Sequence, residues 1–177
     1  GFWASLGPNV SHTAYSAAKF AVKGFSEALI TDLRINAPHV SVSVVMPGHI
    51  GTNIAANTGK VLGKPDPDSL NSEQLAHVRE AMVKRGLPMD NQPDEFIRAA
   101  LKQRAEDFRT KAPMSATEAT EVILDGVREK RWRILVGDDA YAIDELVRDD
   151  PEGAYENELI GKMTGRGHLQ GIVGGQS

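Results

Sequence analysis

Val40-Ser41-Val42-Ser43-Val44 alternates apolar and polar residues strictly and then runs into Val45-Met46. That pattern predicts a β-branched strand, half-buried at first and fully buried at its end, and Pro47-Gly48 stops it. Ahead of it a helix is predicted from Ser11 or Thr13, either of which can cap, to about Asn36, because Pro38 disfavours helix in the residue it follows. Ala17, Ala21, Gly24 and Ala28 form a stripe of small residues on this helix. Such a stripe lets another backbone approach closely, either within the monomer or at a subunit interface.

Residues 49 to about 114 read as a long excursion, first a loop rich in Gly, Pro, Asp and Asn and then two helical patterns. One follows Asn71 or Ser72, carries Leu75, Val78 and Met82 and ends at Gly86; the other opens at Pro93 and carries Ile97, Leu101 and Phe108. An insertion of this kind suits a lid over a site. Ser115-Ala116-Thr117-Glu118 is a capping box that starts a helix through Val122, Ile123 and Val127. Trp132 to Gly137 reads as a short buried strand, Tyr141 to Val147 as a helix broken by Asp149-Asp150-Pro151, and Ala154 to Met163 as a last helix. The glycine-rich tail after Thr164 is expected to be mobile.

This alternation of helices and strands predicts the α/β class, a parallel sheet covered by helices on both faces. Two strands are too few for a stable parallel sheet, so the chain is expected to be part of a larger domain.

Composition narrows the function. The chain has 177 residues, 41% of them hydrophobic, and a formal charge of -4, with 20 Lys and Arg spread along it without a basic run. Nucleic acid is not an expected partner. With no cysteine there is no disulfide and no thiolate metal site, which fits a reducing compartment and makes the cytoplasm the expected location. The longest apolar stretch, around Val44 to Met46, falls far short of the roughly 20 residues that cross a bilayer. His12, His39, His49, His77 and His168 show no ligand spacing, and no metal is expected. The chain opens at Gly1 without an initiator Met, and its opening looks cut.

Tyr15 and Lys19 stand one helical turn apart in Thr13-Ala14-Tyr15-Ser16-Ala17-Ala18-Lys19. Side chains four apart share a helix face, so the Lys19 ammonium can sit near the Tyr15 phenol. A cation there favours phenolate over phenol, which turns an inert side chain into a usable acid or base. Pro47-Gly48-His49-Ile50-Gly51-Thr52 follows the first strand, at the strand end where open parallel sheets deliver their site residues.

In this order, Tyr-x-x-x-Lys at a helix start, a Val-rich strand and Pro-Gly-x-Ile-x-Thr, the chain closely resembles the C-terminal portion of short-chain dehydrogenases/reductases. The likeness extends through Tyr15 to Leu29, the Pro-Gly segment, Ile123 to Val127 and Arg133 to Gly137. It implies part of a doubly wound, Rossmann-like sheet without the N-terminal coenzyme-binding half, residues 1 to 177 forming the C-terminal portion of one such domain. It further implies hydride transfer between NAD or NADP and an alcohol or carbonyl substrate, with Tyr15 as the catalytic acid/base and Lys19 assisting it and bonding the nicotinamide ribose. Pro47 and Gly48 would form the turn against the nicotinamide, and the Ile50 backbone and Thr52 side chain would reach its carboxamide or the phosphates. A homodimer or homotetramer joined partly through the helix of residues 11 to 36 is the implied assembly.

The family's glycine-rich phosphate loop, the residue that selects between NAD and NADP, and its catalytic asparagine have no counterpart here. Counting back from Tyr15 without a gap puts Phe2 where the family has serine; aligning Pro8 with the family's loop proline puts that serine just before Gly1, with Ser5 and Ser11 as fallbacks. Two other functions stand beside the oxidoreductase: a catalytically silent remnant or regulator acting through a partner, and an epimerase or dehydratase that uses the same Tyr and Lys.

Overall fold

The computed structural model describes residues 13–84 and 87–167. Its elements run α1 (Thr13–Asn36), β1 (Val44–Pro47), β2 (Ile50–Gly51), α2 (Ile54–Val61), α3 (Ser72–Lys84), α4 (Asp94–Thr110), β3 (Met114–Ser115), α5 (Ala116–Arg128), β4 (Arg133–Val136), α6 (Asp138–Asp149) and α7 (Asn157–Gly165). The described residues divide into two compact units, one made of 13–50 and 113–167 and the other of 51–112.

In the first unit β1 pairs with β4 in parallel, Val44 opposite Arg133 and Pro47 opposite Val136. Alternate residues of β4 face opposite sides. Ile134 and Val136 are buried with Ala119 of α5, while Leu135 joins Val44, Met46 and Ala140 of α6 on the other face. The α5 face is so close that a Cβ on Gly126 would stand 2.6 Å from Cδ1 of Ile134. Ala142, Ile143 and Leu146 of α6 form a further cluster with Leu159 and Met163 of α7. The chain is thus α/β, with a parallel strand pair and helices packed on it, a partial Rossmann-like fold.

The first strand is shorter than its sequence pattern predicts. Only Val44–Pro47 is strand, because β4 offers only four partner positions and Val40 to Ser43 find no ladder among the described residues. Nor is its end buried on both faces: Val44 and Met46 are buried, whereas Val45 and Pro47 are exposed. Arg133 is largely buried and pairs with Asp144, whose second oxygen accepts from Arg148 Nε at 3.0 Å.

The C-terminal end of α1 and the start of α5 follow their signals, while Ser11, one of the two caps expected for α1, lies outside the described residues. The described part of α1 runs from Thr13 to Asn36, and Ser115 caps α5 through the full reciprocal box with Glu118. Helix α6 begins three residues before the predicted start, at Asp138, with Gly137 as its cap. The last helix is split into a 3-10 turn at Gly153–Tyr155 and α7. None of Ala17, Ala21, Gly24 and Ala28 is covered, so among the described residues the small-residue stripe does not serve packing inside the chain.

In the second unit Leu75 of α3 and Ile97 of α4 are fully buried together with Leu70. Asn71 and Gln74 open α3 reciprocally, each side-chain oxygen accepting from the other's backbone N–H at 2.9 Å. Arg79 ties the two helices: its guanidinium donates to Asp94 at 2.6 Å and to the Gln92 carbonyl at 3.2 Å. Arg98 donates to the Pro67 and Leu70 carbonyls at 2.9 and 2.7 Å and so anchors the approach to α3. Helix α2 lies where a loop is predicted. It buries no residue, and its Ile54 and Val61 are exposed, so the apolar periodicity that betrays a packed helix is lacking.

Among the described residues no helix is long and apolar enough to cross a membrane, and no three His, Asp or Glu side chains are grouped to hold a metal ion.

The Arg79 hydrogen bond holds the Asp94 carboxyl below its ordinary value of 3.8. A carboxylate depressed in the folded state stabilises fully above its unfolded value, and that share is lost as pH falls through the lower, folded value. Urea titrations of the second unit from neutral pH down to about pH 3 should therefore show Asp94→Asn less stable at neutrality but less sensitive to acid. An unchanged acid limb in the variant would remove Asp94 from the account.

Candidate active site

Helix α1 presents Tyr15 and Lys19 on one exposed face, and no residue of the helix is buried. Lys19 Nζ stands 5.4 Å from the centroid of the Tyr15 ring, within the range of a cation–π contact. The cation therefore lies over the ring. Tyr15 is 57% exposed, with a positive charge beside its ring.

Helix α1 packs beside β1, and β1 ends in the second group of candidate residues. Pro47 is its last residue, and the Gly48 N–H still donates to the Val136 carbonyl at 2.9 Å, one step beyond the ladder. Ile50 and Gly51 then form β2, which pairs with β3, so the Ile50 backbone stands at a sheet edge. Thr52 is half-buried, and its Oγ1 lies 3.5 Å from the Ile54 N–H, at the outer limit of a hydrogen bond. Pro47, Gly48 and Ile50 belong to the first unit with Tyr15 and Lys19; Thr52 belongs to the second. Phe2, Ser5 and Ser11, which bear on the family's serine, lie outside the described residues.

The sequence pattern does not single out Asp139, and the structure does. Its side chain, 2% exposed, accepts from the His49 N–H through Oδ2 at 2.6 Å and from the Ala140 N–H through Oδ1 at 3.0 Å. It sits in the first turn of α6, where the helix dipole favours a negative charge. Gly48 is needed because any Cβ there would overlap this carboxylate. Gly137 is needed twice over, with φ at 99° and a would-be Cβ 2.6 Å from Asp139 Oδ1. Gly48 thus interlocks with Gly137 and Asp139 of a distant segment. The signal in sequence is only Gly137-Asp138-Asp139 after a strand, which also reads as an ordinary turn and acidic helix start.

Chemically, the first unit offers a cation-flanked phenol and, at the end of β1, a backbone turn fixed on a buried carboxylate. An ammonium can donate to hydroxyl oxygens, and a glycine leaves open space beside a backbone turn. The profile of the family described as short chain dehydrogenase matches residues 3–62, the stretch that contains Tyr15, Lys19, Pro47, Gly48, Ile50 and Thr52. The chain is also 30% identical over 137 residues to the "Putative oxidoreductase SadH" of Mycobacterium tuberculosis, in strains CDC 1551 / Oshkosh and ATCC 25618 / H37Rv. That alignment covers 77% of this chain and 37% of those relatives, so the chain spans little more than a third of their length. No solved structure matches it. Over residues 3–62 the chain is thus similar to the short-chain dehydrogenase family.

Gly48→Ala should push the loop off Asp139 and lower stability by about 1–3 kcal/mol, the usual cost of overpacking. Chemical denaturation checks it, and a variant as stable as the parent would contradict the close approach.

Proposed function

We propose that the full-length protein is an oxidoreductase that transfers a hydride between NAD or NADP and an alcohol or carbonyl substrate. The observation that carries this reading is Lys19 Nζ over the exposed Tyr15 ring, 5.4 Å from its centroid, inside the segment that matches the family. A relative named as an oxidoreductase adds support.

Nicotinamide, when bound, accepts or gives the hydride at its ring; the chain's part is to move the proton. In oxidation Tyr15 Oη takes the substrate hydroxyl proton as the hydride leaves the carbinol carbon, and in reduction it returns that proton to the developing alkoxide. Lys19 assists Tyr15 and bonds the nicotinamide ribose. Pro47 and Gly48 form the turn against the nicotinamide, and the Ile50 backbone and Thr52 hydroxyl meet its carboxamide or the phosphates. The excursion of residues 49 to about 114 is the proposed substrate lid. Helix α1, with its uncovered face, contributes to a homodimer or homotetramer.

In the full-length protein Tyr15→Phe should cut turnover by about 100- to 10,000-fold, the usual worth of a positioned acid/base, with coenzyme affinity retained. Nicotinamide absorbance reports both the loss and whether the reaction consumes coenzyme at all; turnover without net change would point to an epimerase or dehydratase cycle. Lys19→Ala should lower turnover and also weaken coenzyme binding, measured by fluorescence titration. Unchanged affinity would remove the ribose contact.

A further inference from the structure

The deepest-buried carboxylate of the first unit lies beside the loop assigned to the nicotinamide, yet the proton transfer does not use it. Asp139 is 2% exposed, and among the described residues two backbone N–H groups, of His49 and Ala140, hold it rather than a cationic side chain. Burying a charge is costly, and a helix start needs no buried acid, because Asp138 beside it is exposed and meets the dipole from solvent. The bond that Asp139 adds beyond its own helix is the one to His49. We propose that Asp139 is the positioning residue of the coenzyme-facing loop, its carboxylate setting the peptide plane between Gly48 and His49.

The geometry makes this specific. No described peptide bond is cis, so once the His49 N–H points at Asp139 Oδ2 the Gly48 carbonyl points the opposite way, away from α6. The preceding N–H, that of Gly48, is held by the Val136 carbonyl. Two consecutive N–H groups are therefore fixed, one by β4 and one by α6, and the backbone that continues into Ile50 inherits their direction. Gly48 and Gly137 leave the space that the carboxylate fills. Both oxygens are in use, so an amide cannot replace the acid: its single acceptor oxygen serves one N–H and its NH2 group faces the other.

This inference rests on the dinucleotide reading above, and the test separates the two. The full-length protein and its Asp139→Asn variant are titrated with NAD(H), NADP(H) and ADP-ribose, which lacks the nicotinamide ring, and exchange of the His49 amide is followed in the unaltered protein. The proposal expects Asp139→Asn to weaken coenzyme binding by about 10- to 100-fold, the worth of one hydrogen bond to a charged group, while ADP-ribose affinity stays constant. A general loss of folding would weaken both ligands together. It also expects the His49 amide of the unaltered protein to be protected before any ligand is added, a readout that survives even if the variant fails to fold. A freely exchanging His49 amide, or an Asp139→Asn variant that is folded and yet loses coenzyme and ADP-ribose affinity equally or not at all, overturns the positioning role. If the unaltered protein binds neither the coenzymes nor ADP-ribose, the dinucleotide reading falls and takes the coenzyme role of Asp139 with it, whereas protection at His49 reports on the clasp independently.

Discussion

The parallel ladder between Val44–Pro47 and Arg133–Val136 is what the first unit is built on. These two short strands come from far apart in the chain, and their pairing brings three things to one place. Ile134 and Val136 meet α5, Leu135 meets Val44, Met46 and α6, and the chain leaves each strand at the same end. Because parallel strands share that end, the turn after β1 and the start of α6 become neighbours. Without the ladder, Gly48 and Asp139 would have no reason to touch.

At that shared end the structure accepts a cost. A buried carboxylate is stable here only because each oxygen receives an N–H and the first turn of α6 supplies a favourable field. The two glycines are the steric complement of that choice. The Arg133–Asp144–Arg148 group solves the same problem differently, with one largely buried acid shared by two guanidinium groups. One carboxylate thus organises a loop and the other ties β4 to α6.

The Tyr15–Lys19 pair is held more simply. Tyr15 and Lys19 meet because four residues advance a helix by roughly one turn, and that relation survives on a helix that buries none of its own side chains. The exposed face of α1 and the ladder of β1 with β4 answer different needs. The first leaves the phenol reachable, and the second gives the neighbouring loop a fixed backbone.

Local relations are legible in the sequence wherever a short-range rule dictates them. Proximity of Tyr15 to Lys19, the Ser115–Glu118 box, the helical pattern of Leu75 with Met82, and the α/β order all follow from spacing alone. The extent of β1 is not legible, because Val40 to Ser43 have the pattern of a strand but strand needs a partner. Helix α2 is hidden because it buries nothing and so carries no apolar period. The burial of Arg133 and the clasp of Asp139 on His49 depend on residues separated by long stretches of chain. By itself the sequence determined the local geometry of each helix and the chemistry it carries, since backbone periodicity acts over one or two turns. Only the tertiary structure decided which strand positions pair, which charges are buried and why Gly48 must be glycine, because those outcomes depend on what the folded chain brings alongside.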